Sequence, residues 1–168
     1  MFLMGIYVII FATNFCYSGG HFGYKYKSVD QRRVTKDANG IPICGDYDYG
    51  FIAHPEYCQA YYDCSSTSGP LYRPWDKGFR ECPYPKLFNA QTLKCEMFFY
   101  VKCGKRKEYK SGCDYFANQC LRSHCIPCFI RYPSCEGYRD GTHEHPIRRG
   151  SKWMIHCYRE RLMNSWYG

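Results

Sequence analysis

The sequence predicts a small, disulfide-rich, mainly β fold, with a short antiparallel sheet plus hairpin in each module and little helix. Three observations point there. The 168 residues include 13 cysteines. Leu, Ile and Val are sparse while Tyr alone reaches 18, so disulfides and aromatic rings must stand in for a large aliphatic core. The segment Cys58-Gln59-Ala60-Tyr61-Tyr62-Asp63-Cys64 alternates with the period of a strand, and a turn-rich stretch, Ser65 to Pro70, follows it.

Residues 1–18 read as a secretory signal peptide. The run Phe2 to Phe15 is apolar, no charged side chain precedes Lys25, and Cys16 and Ser18 are small residues suited to cleavage after Ser18. The run is shorter than the roughly 20 residues of a membrane span and has no flanking basic cluster, which argues against an anchor. Cleavage removes Cys16 and leaves 12 cysteines, an even number that can pair fully in an oxidising compartment. Residues 19–43 form a flexible basic lead without apolar periodicity.

Six cysteines then follow: Cys44, Cys58, Cys64, Cys82, Cys95 and Cys103, separated by 13, 5, 17, 12 and 7 residues. Gly50, His54-Pro55, Tyr61-Tyr62, Cys82-Pro83 and Phe88-Asn89 stand at fixed places in this frame. A segment of about 60 residues buries too little apolar surface to offset its chain entropy and needs covalent closure. Spacing alone leaves 15 pairings open. The frame and its landmarks resemble the peritrophin-A, or type 2, chitin-binding domain over residues 44–103. The resemblance implies Cys82–Cys95 most firmly, with Cys44–Cys64 and Cys58–Cys103 as the other pairs. It also implies chitin as the ligand. Proteins with such domains line gut matrices and cuticles or occur in calcified shell matrix.

Residues 104–134 are a basic linker, opening Gly104-Lys105-Arg106-Lys107, and a cysteine-rich insert. Cys113, Cys120, Cys125 and Cys128 can close on themselves in three ways, and the sequence does not choose. His124, Cys125, Cys128 and His143 invite a zinc reading, but in an oxidising compartment paired thiols are the expectation. No metal and no cofactor are expected. Residues 135–168 read as a partial second copy. Gly141, His145 and Pro146 stand at +6, +10 and +11 from Cys135, as Gly50, His54 and Pro55 do from Cys44. The copy closes at Cys157, two residues later than Cys64 does, and Trp166 follows it as Trp75 follows Cys64. If Cys44 pairs with Cys64, Cys135 can pair with Cys157.

Strand parity places Ala60 and Tyr62 on the cysteines' inward face and Tyr61 outward beside Gln59 and Asp63. Leu71 to Trp75 is expected to return as the partner strand. Tyr61, Tyr72 and Trp75 are the candidate rings for stacking on chitin, each adding about 1 kcal/mol. Trp75 has a competing role as a cover for the disulfides. Asn89 is a candidate donor to an N-acetyl group and a competing turn cap.

The net charge is +8, and it is uneven. Residues 44–103 carry six basic and seven acidic side chains, whereas 104–168 carry twelve and six. A near-neutral middle suits neutral chitin. Basic flanks suit acidic matrix proteins, sulfated glycans or a mineral surface. No nucleic acid and no membrane partner is expected of a secreted chain. No catalytic constellation is present, and no enzyme is expected. The expected function is a secreted, non-catalytic chitin-binding matrix protein. The alternatives are a cationic defence protein on the same fold and a framework protein without chitin affinity.

Overall fold

Alternation in the Cys58–Cys64 segment builds the first sheet. The computed structural model describes Cys44, residues 50–121 and residues 123–168; the expected signal peptide and basic lead, residues 1–43, lie outside the described residues. Strands β1 (Phe51–Ala53), β2 (Ala60–Asp63) and β3 (Phe79–Glu81) form an antiparallel meander in that order. Tyr62 pairs with Ile52 on one side and Phe79 on the other, and these three with Ala60 form a buried cluster. The inward assignment of Ala60 and Tyr62 is what burial along β2 shows.

Two local expectations are corrected. The partner of β2 is Phe79–Glu81, not Leu71 to Trp75. Pro70 and Pro74 deprive that stretch of ladder donors, and it folds into consecutive turns, with Arg73 N–H donating to Pro70 O at 2.9 Å and Asp76 N–H to Arg73 O at 3.1 Å. Gly78, at φ +77, then brings the chain back so closely that a Cβ there would lie 2.8 Å from Asp63 O. Gln59 does not share the outward face with Tyr61. It precedes the strand, is fully buried, and donates to Glu81 at 3.3 Å.

Strands β4 (Lys86–Asn89) and β5 (Lys94–Met97) pair as a hairpin. Regular helix among the described residues is limited to the single turn α1 (Cys128–Arg131) and three short 3-10 turns, so the fold is small, mainly β and disulfide-rich, as the sequence predicts. Six disulfides lie among the described residues: Cys44–Cys64, Cys58–Cys103, Cys82–Cys95, Cys113–Cys128, Cys120–Cys125 and Cys135–Cys157. The first three are the pairs that the resemblance implies. The insert closes on itself, which takes up Cys125 and Cys128.

The basic linker is tied into the body through its backbone. Tyr57 and Lys107 form a β-bridge, with Lys107 N–H donating to Glu56 O at 2.6 Å and Cys58 N–H to Lys107 O at 2.9 Å. Arg106 reaches Phe88 O at 3.1 Å. Cys103 is tethered to Cys58, so the residues that follow are delivered to the 56–58 backbone and satisfy its unpaired groups. The insert then covers the sheet. Tyr115 is buried and donates to Lys86 O at 2.9 Å, and the Glu81 carboxylate accepts from Phe116 N–H at 3.1 Å and Ala117 N–H at 2.8 Å.

A second meander, β6 (Gly141–Glu144), β7 (Trp153–Tyr158) and β8 (Arg161–Tyr167), repeats the first in order and register. Ile52 pairs with Tyr62, two residues before Cys64; His143, at the same distance from Cys135, pairs with Ile155, two residues before Cys157. Gly50 and Gly141 share an unusual φ, +126 and +129. The tryptophans do not correspond. Trp166 lies within β8 and pairs with Met154, whereas Trp75 lies on the long loop before β3. A two-residue turn at Arg159 and Glu160, both at positive φ, replaces that loop. Arg161, 1% exposed, joins the two halves: it lies 4.6 Å over the Phe98 ring, pairs with Glu108 and donates to Tyr109 O. The Tyr84 hydroxyl accepts from Leu162 N–H at 2.8 Å and donates to Lys110 O at 3.1 Å.

Candidate binding surface

The outward face of the first sheet carries Phe51, Ala53, Tyr61, Asp63 and Arg80, set there by the register. Tyr61 is half-buried. Its ring lies flat on buried Phe88, centroids 4.5 Å apart and planes 16° apart, with Phe51 edge-on at 5.5 Å. A ring backed by another in this way cannot rotate freely, so its remaining area is a rigid, flat apolar surface. Burial, and then Asp63, push the Tyr61 hydroxyl up from its usual pKa, so it stays protonated and able to donate. Arg80 is fixed beside it by hydrogen bonds to Ser66 Oγ at 2.5 Å and Phe79 O at 2.7 Å.

The other candidates fall elsewhere. Trp75 is 76% exposed on the β2–β3 loop and does not cover the disulfides. Tyr72 packs against the inward cluster, edge-on to Phe79 at 6.3 Å, and burial followed by Glu81 pushes its pKa up to about 12. Tyr61 and Tyr72 therefore serve opposite faces of the sheet. Asn89 is engaged by its own hairpin: its Oδ1 accepts from Gln91 N–H at 2.9 Å and its Nδ2 donates to Glu96 at 2.8 Å. Leu71 and Tyr100 are further exposed apolar side chains that parity did not single out, the latter ending the run Phe98-Phe99-Tyr100.

His54 fixes the turn that leads into β2. It is buried between the Tyr57 and Tyr62 rings, 4.8 and 5.5 Å away, and its Nδ1 accepts from the N–H groups of Glu56 and Tyr57 at 3.1 and 3.2 Å. That arrangement requires an unprotonated Nδ1. Burial first, then Arg73 and Arg106, lower its pKa from 6.5 to about 4. The unfolded chain thus takes up the proton first on acidification. Stability from His54 is fully present above pH about 6.5 and is lost on the way down to about 4, by roughly 3 kcal/mol in total. The thermal midpoint is expected to fall between pH 6.5 and 5, and less steeply in His54→Asn; equal slopes in the two proteins would refute this. Burial and Arg148 lower His145 as well, with the same sign.

Among the described residues no group of His, Cys, Asp and Glu is placed to hold a metal ion, and no helix is long and apolar enough to cross a membrane. The first half of the chain is thus a small sheet closed by disulfides, with the Tyr61 ring on its outward side. Residues 44–103 match the family described as the Chitin binding Peritrophin-A domain, a little over a third of the chain. That domain is non-catalytic, and it implies chitin as a ligand. No curated protein and no solved structure matches the chain.

Proposed function

We propose that this protein is a secreted, non-catalytic chitin-binding component of an invertebrate extracellular matrix, with a calcified shell matrix as its setting. The observation that carries the chitin reading is the domain match over residues 44–103, with its three disulfides and the Phe88-backed Tyr61 platform. Twelve disulfide-bonded cysteines among the described residues support an oxidising, extracellular destination. The matrix and shell assignment is supported by the basic, tyrosine-rich flanks. Tyr61 and Trp75 are the proposed stacking rings; Tyr72, packed on the inward cluster, and Asn89, engaged by its own hairpin, support the sheet behind them. Residues 135–168 are read as a partial second copy, on the strength of the shared register and the repeated His-Pro clamp.

The secreted protein is expected to stay on chitin beads in high salt, because stacking on a neutral polymer is screened little. Trp75→Ala should weaken retention about fivefold, the equivalent of ~1 kcal/mol, and leave the thermal midpoint unchanged, since the ring is exposed. Wild-type protein that fails to bind would remove the chitin reading, and protein that washes off at about 0.5 M salt would make the charged flanks the contact instead.

A further inference from the structure

We propose that the turn joining β6 to β7 is a binding site for a sulfated polysaccharide. The shared register lets the two sheets be compared position by position. In the first, the connection His54 to Gln59 is tied into the body by the Cys58–Cys103 disulfide and the Tyr57–Lys107 bridge. In the second, the connection His145 to Lys152 is two residues longer, has no cysteine, and projects Arg149, Gly150, Ser151 and Lys152 into solvent. The change converts a packed connection into a cationic tip carrying Arg148, Arg149 and Lys152.

The tip is held in one shape. His145 Nδ1 accepts from Ile147 N–H at 3.2 Å and Arg148 N–H at 3.3 Å, as His54 does in the first sheet. Trp153 N–H donates to Ser151 Oγ at 3.2 Å, and Gly150 N–H donates to the Glu144 carboxylate. The Arg148 guanidinium lies 4.2 Å over the Trp153 ring, and Arg149 Nε donates to Pro146 O at 3.2 Å. None of these contacts is an ion pair. The Arg148, Arg149 and Lys152 cations have no carboxylate partner among the described residues, and Glu144, the carboxylate nearest in sequence, is turned to backbone. Three like charges in five residues repel one another, and an external anion relieves that repulsion at little ordering cost, because the turn is already fixed.

The form of the tip selects the kind of anion. Five residues span about 16 Å at most, and Ile147 is the one exposed large apolar side chain on it. A folded acidic protein needs roughly 800 Å² on each side with an apolar centre, which this turn lacks. A single linear polyanion fits a narrow tip, and guanidinium forks match the oxygens of a sulfate group. This goes beyond chitin recognition and does not depend on it, since chitin is neutral.

Immobilised chondroitin sulfate, probed with the full secreted chain, tests the assignment. Arg149→Ser with Lys152→Ser is expected to weaken binding about tenfold at moderate salt and to bring elution to lower salt. The thermal midpoint and retention on chitin beads should not change. Lys102→Ser with Lys105→Ser removes the same charge from another exposed segment and should change binding little. Unaltered affinity in the first pair, or an equal loss in the second, would overturn the site. Polyglutamate bound as tightly as the polysaccharide through the same two residues would also overturn it, by making an acidic protein the partner.

Discussion

Replacing Cys58 and Cys103 together by alanine is expected to lower stability by about 4 kcal/mol. The two residues are 45 apart in sequence, the widest loop closed by any of the six disulfides, and the entropy regained by the unfolded chain grows with that span. The same reasoning gives only roughly 2 kcal/mol for Cys120 and Cys125, which are 5 apart. Small domains have about 5–15 kcal/mol in all, so the first change should leave a protein close to its unfolding threshold. Cys58 is also fully buried and lies beside the backbone that receives Lys107, so its loss loosens the linker as well. Denaturant unfolding of the two double variants, compared with wild type, measures the order. A loss under about 1 kcal/mol for Cys58 and Cys103 would mean that the Tyr57–Lys107 bridge and the Arg106 contact to Phe88 close the loop unaided.

Tyr62→Ala should cost about 3–5 kcal/mol, the range for removing a large ring from a packed core. Tyr62 is 2% exposed and sits at the centre of the inward cluster, with His54 stacked at 5.5 Å and Phe79 edge-on at 6.0 Å. The loss also opens the wall of the His54 pocket, so the neutral imidazole there becomes hydrated and its low pKa rises toward the ordinary value. Low secretion yield and a thermal midpoint many degrees lower are the expected readings. Tyr61→Ala is expected to fall between Tyr62→Ala and Trp75→Ala in stability, because its ring is half-buried against Phe88. A Tyr62→Ala protein that melts within a few degrees of wild type would invert the assignment of the faces.

Local periodicity made β2 legible: two residues in, two residues out, with cysteines marking the inward side. The glycine and histidine offsets at Cys135 were legible for a similar reason, since they mark backbone positions that few other residues satisfy, and the two sheets share φ at Gly50 and Gly141. What eluded the sequence was set by tertiary partners. Gln59 lies inside because Glu81, 22 residues away, receives its amide. Lys107 looks like part of a solvated run, yet its backbone completes a bridge that no local pattern encodes. Trp75 and Trp166 follow their cysteines at similar distances but belong to a loop and a strand, because the tight Arg159-Glu160 turn removes the loop from the second sheet. Of the candidate rings, parity put Tyr61 on the outward face; Trp75, expected in a strand, is exposed on a loop, and Tyr72 is drawn inward by Phe79.

The clamped linker has a mechanical consequence. Under the matrix role proposed above, tension would enter the protein at one ligand and leave at the other. A slack tether would extend first and let the two attachment points drift apart under small loads. Here Lys107 is laced to Tyr57, Glu108 is held by Arg161, and Tyr84 grips both Lys110 and Leu162. A pull between the first sheet and the second therefore shears several short contacts at once, backed by the Cys58–Cys103 bond behind them. Such a joint resists stepwise stretching and yields at a threshold, which is the behaviour of a stiff rivet and not of a spring.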